Sequence, residues 1–296
     1  MIYVACPARY VTGGVELLHQ LAAELRQYSP TKIWYAGYLN GSPQPAVYDS
    51  YGNEYVTQKV MPGSGDIVIL PEIWASMAKM FLHPVVYWES VDNFVIRYGK
   101  TTSLPENTLH LTQSEYARQY VGKNISTNIV EVTDYLNDDF FAPYDETQRN
   151  DTILFNPAKG MDYTNQIMAA MPDAEFLALE GYSRSRIIEL MHKSKLYIDF
   201  GDHPGKDRMP REAAMCGCCV ITSRNGSAKF FEDVGIPNYY KFDRTKDNIS
   251  AIAGRIREVL RLYPVDDFAD YRDTISGEKK RFKQGVFELA ERLGVI

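Results

Sequence analysis

The chain has 296 residues, of which 45% are hydrophobic and 24% are charged, and its formal net charge is −6. At roughly 150 residues per domain, this length predicts two globular domains. The negative charge argues against a general nucleic-acid binder, which would present a basic face, and the sequence contains no apolar run of about 18 residues that would predict a transmembrane helix.

The first 30 residues have the pattern of a strand, a glycine loop and a helix. Ile2 to Cys6 is an apolar run typical of a buried strand, and the loop after it ends in Gly13 and Gly14. Apolar residues from Val15 onward then recur at the spacing of one helix face. The loop does not contain GxGxxG, so a dinucleotide fingerprint is not supported.

Further strands are predicted through the first half, each ending in polar residues, as an open parallel sheet with a crevice at its carboxyl edge requires. They are Lys32 to Tyr38, Asp66 to Leu70, Pro84 to Tyr87, Thr108 to Leu111 and Asn128 to Val132. Trp74 to Leu82 is predicted to be a short helix, and Ser114 is the expected N-cap of another.

Asp134 to Asp151 lacks clear periodicity and is predicted to be an interdomain linker. After it, the strand Thr152 to Phe155 leads into a loop with Lys159 and Gly160, and then into an amphipathic helix. The remaining predicted elements are the strand Glu175 to Leu179, helices over Arg186 to His192 and near Ala228, the strand Tyr239 to Phe242, and helices over Ile249 to Tyr263 and Lys279 to Leu293.

Leu196 to Thr222 is the most informative stretch of the chain. A short apolar strand is followed by the polar loop Gly201 to Asp207, and Pro210 is suited to the first position of a helix. Gly217 suits the C-terminal cap of that helix, and an apolar strand follows it. A helix N-terminus reached from a parallel strand in this way presents N–H groups and a positive dipole end, which suit a phosphate.

This stretch resembles the donor-binding segment of GT-B glycosyltransferases, in the retaining family of sucrose synthase and bacterial capsule and lipopolysaccharide sugar transferases. The resemblance rests on a glutamate that opens a helix and is followed by Ala, Cys-Gly and an apolar strand, here Glu212 to Ile221. It implies an α/β GT-B fold with two doubly wound Rossmann-like domains facing a central cleft. Residues 1–142 would form the acceptor-side domain and residues 143–296 the nucleotide-sugar domain, with the last helix possibly crossing back.

The resemblance also implies roles for individual residues. Glu212 would accept hydrogen bonds from the ribose hydroxyls, and Lys159 would lie against the donor diphosphate. Gly13 and Gly14 would let the backbone approach the donor phosphates or the acceptor. The diphosphate would also be bound by Arg208 and the adjacent helix N-terminus, with Gly205 in the binding loop and Lys206 as a weaker candidate.

The residues around the transferred sugar are less defined. The second glutamate of the family lies eight positions before the first, which is Pro204 here. Asp202 or Asp207 could take its place, and His203 is also available to the sugar. A retaining enzyme needs no general base, whereas an inverting one would take it from the first domain, where the candidates are Glu16, Glu89 and His83.

The predicted function is therefore a metal-independent, hexosyltransferase-like glycosyltransferase without a cofactor. It would move a sugar from a nucleotide-diphosphate sugar to a saccharide or lipid-linked acceptor in bacterial surface polysaccharide or glycoconjugate synthesis. Peripheral association with a membrane or a transferase complex fits this role. The alternatives are a non-catalytic GT-B-like subunit that binds a sugar or a partner, and, with less support, a nucleotide-sugar epimerase.

A cytoplasmic location is expected for two reasons. The N-terminus lacks the basic start and long apolar run of a signal peptide. The four cysteines, Cys6, Cys216, Cys218 and Cys219, lie in apolar surroundings and are interpreted as small buried side chains in a reducing compartment.

Overall fold

The computed structural model describes residues 1–38, 41–99 and 103–296. The strands within these ranges are all paired in parallel. They are β1 (Ile2–Ala5), β2 (Thr31–Tyr35), β3 (Tyr55–Thr57), β4 (Ile67–Pro71), β5 (His83–Trp88), β6 (Leu109–Thr112), β7 (Ile129–Glu131), β8 (Asn150–Phe155), β9 (Phe176–Ala178), β10 (Ser194–Asp199), β11 (Cys219–Ser223) and β12 (Lys241–Phe242).

The α-helices alternate with these strands, as the connections of parallel sheets require. They are α1 (Gly13–Leu25), α2 (Val91–Tyr98), α3 (Glu115–Asn124), α4 (Met161–Ala169), α5 (Arg184–Lys193), α6 (Arg208–Met215), α7 (Ile249–Leu262), α8 (Ala269–Ser276) and α9 (Glu278–Arg292). Side-chain caps define where several of them begin: Thr12, Ser90 and Ser114 accept from backbone N–H groups in the first turns of α1, α2 and α3.

The chain forms two compact units, one of residues Met1–Tyr135 with Glu278–Ile296 and the other of residues Leu136–Gly277. The sheet of the first unit has the order β3-β2-β1-β4-β5-β6-β7, and that of the second has the order β12-β11-β10-β8-β9. The strand order reverses between β1 and β4 in one unit and between β10 and β8 in the other. In open parallel sheets, such a reversal marks the crevice in which ligands bind.

The central strands carry continuous apolar runs because helices cover both faces of a parallel sheet. Val4, Ile69 and Ile198 are at most 1% exposed. Within the first unit, α9 packs on α1 and β7, and a Cβ on Gly285 would overlap the carbonyl oxygen of Glu131. Glycine at this position therefore allows α9 to approach the sheet closely.

Several local predictions were wrong. The helix expected over Trp74 to Leu82 is a 3-10 segment that starts at Glu72, and the helix expected near Ala228 is a single 3-10 turn over Gly226–Lys229. Helix α6 begins at Arg208, which makes Pro210 its third residue. Proline is tolerated there because the first N–H groups of a helix have no intrahelical acceptor.

The segment predicted as a linker is packed against the second unit. Leu136 and Phe140 are buried in the apolar core of that unit. Arg149 is 8% exposed and donates to the carbonyls of Met191 and Ser194 at 3.0 and 2.6 Å, and also to the carbonyl of Cys216. Periodicity is absent from this segment because its contacts are made by isolated side chains rather than by a regular helix or strand.

Within the described residues, every helix is too short or too polar to cross a lipid bilayer.

Candidate functional site

Two loops of the second unit meet at the reversal of its strand order. One follows β8 and carries Lys159 and Gly160, and the other follows β10 and runs from Phe200 to Asp207. Gly160 has φ +62, and a Cβ on it would overlap the carbonyl oxygen of Phe200. Since L-residues with a side chain rarely adopt this φ, glycine brings the two loops into backbone contact.

The contact between the loops brings four charged side chains together, which we call the mixed-charge cluster: Lys159, Asp199, His203 and Asp207. The ammonium of Lys159 lies 2.6 Å from Asp207 Oδ1. The imidazole of His203 lies between the two carboxylates, with Nδ1 2.9 Å from Asp207 Oδ2 and Nε2 3.6 Å from Asp199 Oδ1. Asp199, His203 and Asp207 are each four residues apart, a spacing that brings side chains together on a helix. The segment between β10 and α6 is a loop, so this spacing did not predict that the three side chains meet.

Hydrogen bonds from neighbouring residues fix the position of the cluster. Asp199 accepts hydrogen bonds from the hydroxyl of Tyr197 and the N–H of Gly201, both at 2.9 Å. His203 is fully buried and has φ +49, an unusual backbone conformation for a side chain of this size. Ser227 donates through its hydroxyl to Gly205 at 2.6 Å, and its N–H donates to the carbonyl of His203. The loop is therefore fixed at several backbone positions.

The charges of the cluster compensate one another. Burial opposes protonation of His203, but Asp199 and Asp207 outweigh it and raise the pKa of the imidazole above its ordinary 6.5. Burial also opposes ionisation of Asp207, but His203 and Lys159 outweigh it and lower the pKa of that carboxyl below 3.8. The two carboxylates thus favour the imidazolium form of His203, and His203 and Lys159 favour the ionised form of Asp207.

Helix α6 continues directly from this cluster. Arg208 Nε lies 3.9 Å from Glu212 Oε1, one turn further on, and both side chains are largely buried. Burial, and then Asp199, Asp207 and Glu212, raise the pKa of the Tyr197 hydroxyl well above 10. Glu212 is therefore close enough to act electrostatically on the phenol that supports the cluster.

The sequence analysis missed the role of Arg211. It is fully buried, and its guanidinium donates to the carbonyls of Lys206 and Asp207 at 3.0 and 3.3 Å. These bonds fix the loop that enters α6, on which the predicted residues Gly205, Lys206 and Arg208 lie. A lone arginine on a helix has no sequence signal that distinguishes this role from solvent exposure.

The two aspartates predicted to take the place of the second family glutamate, Asp202 and Asp207, lie in different surroundings. Asp207 lies inside the mixed-charge cluster, whereas Asp202 is exposed and pairs with the guanidinium of Arg244. Asp199, His203 and Asp207 also offer donor atoms within 4.8 Å of one another, a spacing that could hold a metal ion. Lys159 already supplies a cation to Asp207 at this place.

The remaining predicted residues belong to the first unit. Gly13 and Gly14 open α1, and a Cβ on Gly14 would overlap Oε2 of Glu89. Glu16 is 6% exposed and accepts a hydrogen bond from the Tyr51 hydroxyl at 2.9 Å. Glu89 follows β5 at the carboxyl edge of the sheet.

The proposal of His83 as a base was wrong. It is the first residue of β5 and is exposed at the amino end of that strand, on the sheet edge opposite the glycine loop. It lines a cavity of about 390 Å³ together with Asn107, Asn128 and Arg292. The predicted strand, Pro84 to Tyr87, begins after His83, so the sequence already indicated the amino end of the strand rather than the carboxyl edge at which ligands bind.

The two parallel-sheet units with these strand orders have the GT-B fold, which confirms the predicted fold class. Solved glycosyltransferase structures match the chain at full length. HepE from Anabaena in complex with UDP and glucose has a TM-score of 0.68 at 12% identity, covering 100% of this chain and 99% of its own. The lipopolysaccharide outer core galactosyltransferase WaaB has a TM-score of 0.65 at 13% identity, covering 98% of each chain.

A glycosyltransferase from Rickettsia africae has a TM-score of 0.63 at 14% identity, covering 99% of this chain and 98% of its own. No protein-family model and no curated protein matches the sequence. At these identities, the shared property is the fold.

Proposed function

We propose that the protein is a glycosyltransferase whose second unit binds a nucleotide-diphosphate sugar. The observation that carries this proposal is the mixed-charge cluster at the start of α6, with Glu212 one turn further along the helix. Cations, a helix N-terminus and a carboxylate in this order match a diphosphate followed by a ribose. The structural neighbours support this function, since HepE was solved with UDP, glucose and UDP-glucose.

In this function, Glu212 accepts hydrogen bonds from the ribose hydroxyls. Lys159, Arg208 and the first N–H groups of α6 bind the diphosphate, with Gly205 and Lys206 in the adjoining loop. Lys159 is paired with Asp207, so the diphosphate shares the ammonium with that carboxylate or displaces it when it binds. Asp207 then acts through Lys159 and His203, as a positioning residue.

Catalysis consists mainly of stabilising the leaving group. When the bond between the sugar and the diphosphate breaks, its electron pair remains on the diphosphate, where negative charge grows. Fixed cations that interact more strongly with this charge than with the bound substrate lower the barrier. Because the ammonium of Lys159 is already in place, we propose that the reaction does not require a metal ion.

We also propose the finer features of the activity: a hexose donor, a saccharide or lipid-linked acceptor, and a role in surface polysaccharide or glycoconjugate synthesis. Their support comes from two structural neighbours: WaaB is a lipopolysaccharide outer core galactosyltransferase, and WaaG is a glycosyltransferase involved in lipopolysaccharide biosynthesis. Peripheral association with a membrane or with other transferases fits such acceptors. The four cysteines are unpaired and buried, which supports a cytoplasmic location.

Calorimetric titration of UDP, ADP and GDP into the wild type and the Glu212→Ala variant tests the proposal. A hydrogen bond to a charged group contributes about 1.5–3 kcal/mol, so the variant should bind the preferred nucleotide about 10- to 150-fold more weakly. Glu189→Ala, which removes an exposed helix carboxylate of the same unit, is the matched control and should bind like the wild type.

Unchanged nucleotide affinity in a folded Glu212→Ala variant would contradict the proposed site. Slow release of UDP from UDP-glucose by the wild type distinguishes an enzyme from a non-catalytic module. Tight binding of UDP-glucose without any turnover, in the presence of an acceptor panel, would favour the binding subunit.

A further inference from the structure

The sheet of the first unit carries a cavity at the edge opposite the glycine turn. It lies at the amino ends of three adjacent strands, since Ile67 is the first residue of β4, His83 of β5 and Leu109 of β6. Arg292, in the last turn of α9, also lines it. We call it the amino-edge cavity. Strand β5 has six residues, so at about 3.3 Å per residue the cavity lies roughly 15 Å from the carboxyl edge at which open α/β sheets bind ligands.

The described residues that line the cavity can carry charge of only one sign. Arg292 and His83 are the two that can be ionised, and both become cations. Of the acids that adjoin the lining residues in the chain, Asp66 lies 3.4 Å from the amino group of Met1, and Glu106 is exposed to water. Their charges are thus compensated or screened, and an anion in the cavity meets net attraction.

Arg292 is held at the cavity without being neutralised. Its Nη2 donates to Oδ1 of Asn128, whose own Nδ2 donates to the carbonyl of Thr108 at 3.0 Å. Among the described residues, no carboxylate lies within ion-pair distance of the guanidinium. The last carbonyls of α9, of residues 289–291, accept backbone N–H groups of residues 293–295. A guanidinium has five N–H donors, so most of them remain available to a ligand.

The rest of the lining provides an apolar surface of suitable size. It is formed by Ile67, Pro84, Val85, Leu109 and Leu293. The cavity volume of about 390 Å³ falls within the range of about 300–1,000 Å³ that small-molecule sites occupy. A ligand that complements this cavity therefore combines an apolar body with a polar group that an arginine recognises.

The arginine also determines what that polar group is. A guanidinium is always charged, and its planar fork matches a carboxylate or a phosphate through two parallel N–H···O bonds. The exposed imidazole of His83, on the neighbouring strand, adds an N–H donor even when it is neutral. Cationic ligands are disfavoured by the same charges.

We propose that the amino-edge cavity is a second binding site, for a small molecule with one carboxylate or phosphate group on a compact apolar body. Arg292 binds the oxyanion through two parallel hydrogen bonds, and His83 donates one more. The apolar body packs on Val85 and Leu109. All of these residues belong to the first unit, whereas the proposed donor site lies in the second. The inference therefore goes beyond the proposed function and does not depend on it.

Saturation-transfer NMR of the whole protein with four probes tests this class of ligand. Benzoate and phenyl phosphate combine an oxyanion with a ring, benzyl alcohol has the ring without the charge, and acetate has the charge without the ring. We expect benzoate or phenyl phosphate to bind about tenfold or more tightly than benzyl alcohol and acetate, because only these two anions use both parts of the cavity. The tighter of the two anions identifies the oxyanion as a carboxylate or a phosphate.

Substitutions locate the binding in the cavity. Arg292→Gln should weaken binding of the preferred anion about tenfold or more and leave benzyl alcohol unchanged. Arg292→Lys keeps the charge but not the fork, so its loss should be smaller. His83→Ala removes one hydrogen bond and should cost about 2- to 10-fold. Arg97→Gln, at an exposed arginine of α2 in the same unit, is the matched control and should bind like the wild type.

Equal binding of the two anions and benzyl alcohol would overturn the inference, as would an Arg292→Gln variant that binds the preferred anion like the wild type. Displacement of the anion by UDP would overturn it too, because the anion would then occupy the donor site. Failure of the proposed function is read separately, from UDP binding by Glu212→Ala. A wild type that binds UDP but neither benzoate nor phenyl phosphate contradicts only the second site. An unchanged thermal melt shows that each variant is folded.

Discussion

The mixed-charge cluster and the acidic pair of Glu72 and Glu89 both lie at the carboxyl edge of a parallel sheet. The cluster follows β8 and β10, between which the strand order reverses, and the pair follows β4 and its neighbour β5. They hold charge in different ways. In the second unit, Lys159 and His203 compensate Asp199 and Asp207 at distances of 2.6 to 3.6 Å. In the first unit, Glu72 and Glu89 are acidic neighbours whose pKa values are raised, chiefly because burial disfavours their charged forms.

The comparison shows that the same edge of two parallel sheets can hold charged side chains in two different ways. Compensated charges favour one another's ionised forms, and in the proposed function the cations of the cluster also pair with the diphosphate. Buried acids without a cationic partner are shifted toward their neutral forms instead, in which a carboxyl group can donate as well as accept a hydrogen bond. The neighbouring side chains, rather than the sheet, decide which of these occurs.

The largest expected effect is on turnover after loss of the Lys159 ammonium. Lys159→Met should lower the rate of UDP release from UDP-glucose by roughly 10²–10³, because one stabiliser of the leaving group is removed. UDP affinity should fall less than the rate. Lys193→Met, at an exposed lysine of the same unit, is the control, and EDTA should leave the wild-type rate unchanged. A rate within threefold of the wild type would show that the two loops do not form the reacting site.

Glycine substitutions compare how rigidly the two regions are built. Gly160→Ala places a Cβ at φ +62 against the backbone of Phe200. We expect a loss of roughly 2–5 kcal/mol in unfolding free energy, since a left-handed residue costs about 1–2 and overpacking about 1–3. Gly14→Ala meets only the end of the Glu89 side chain, so it should cost less than half as much. Chemical denaturation measures the unfolding free energy of both variants. Equal losses would contradict the expectation that the Gly160 site is the more rigid of the two.

Stability should depend on pH with opposite signs in the two regions. The raised pKa of Glu72 contributes stability that is present below 4.5 and lost as pH rises through about 7. The lowered pKa of Asp207 contributes stability that is present above 3.8 and lost as pH falls through its folded-state value. Glu72→Gln should therefore gain stability relative to the wild type between pH 4.5 and 7, whereas Asp207→Asn should lose it above pH 3.8.

Thermal melts of both variants and the wild type, recorded every half unit from pH 3 to 8, measure this difference. Glu54→Gln is the exposed control for the first unit. Parallel curves for Glu72→Gln and the wild type would show that Glu72 ionises in the folded protein as readily as in the unfolded chain.

Much of the fold was predictable because its signals are local. The apolar runs of β1, β4, β10 and β11 are continuous, as strands buried on both faces must be. The cap at Ser114 was confirmed, since its hydroxyl accepts from the N–H of Ala117 at 3.1 Å. The errors at Trp74 and Ala228 concern 3-10 turns, whose short length leaves no periodic pattern.

The sequence by itself determined the alternating strands and helices, the glycine turns before α1 and α4, and the Glu212 segment whose resemblance led to the GT-B fold. Only the tertiary structure decided that Lys159 reaches Asp207, that His203 lies between two carboxylates, and that Glu89 rests on Gly14. Apolar periodicity specifies which face of an element is buried, but not which strands become neighbours. The pKa shifts depend on that order, because charges separated by tens of residues act on each other only after the sheets have brought them within a few ångströms.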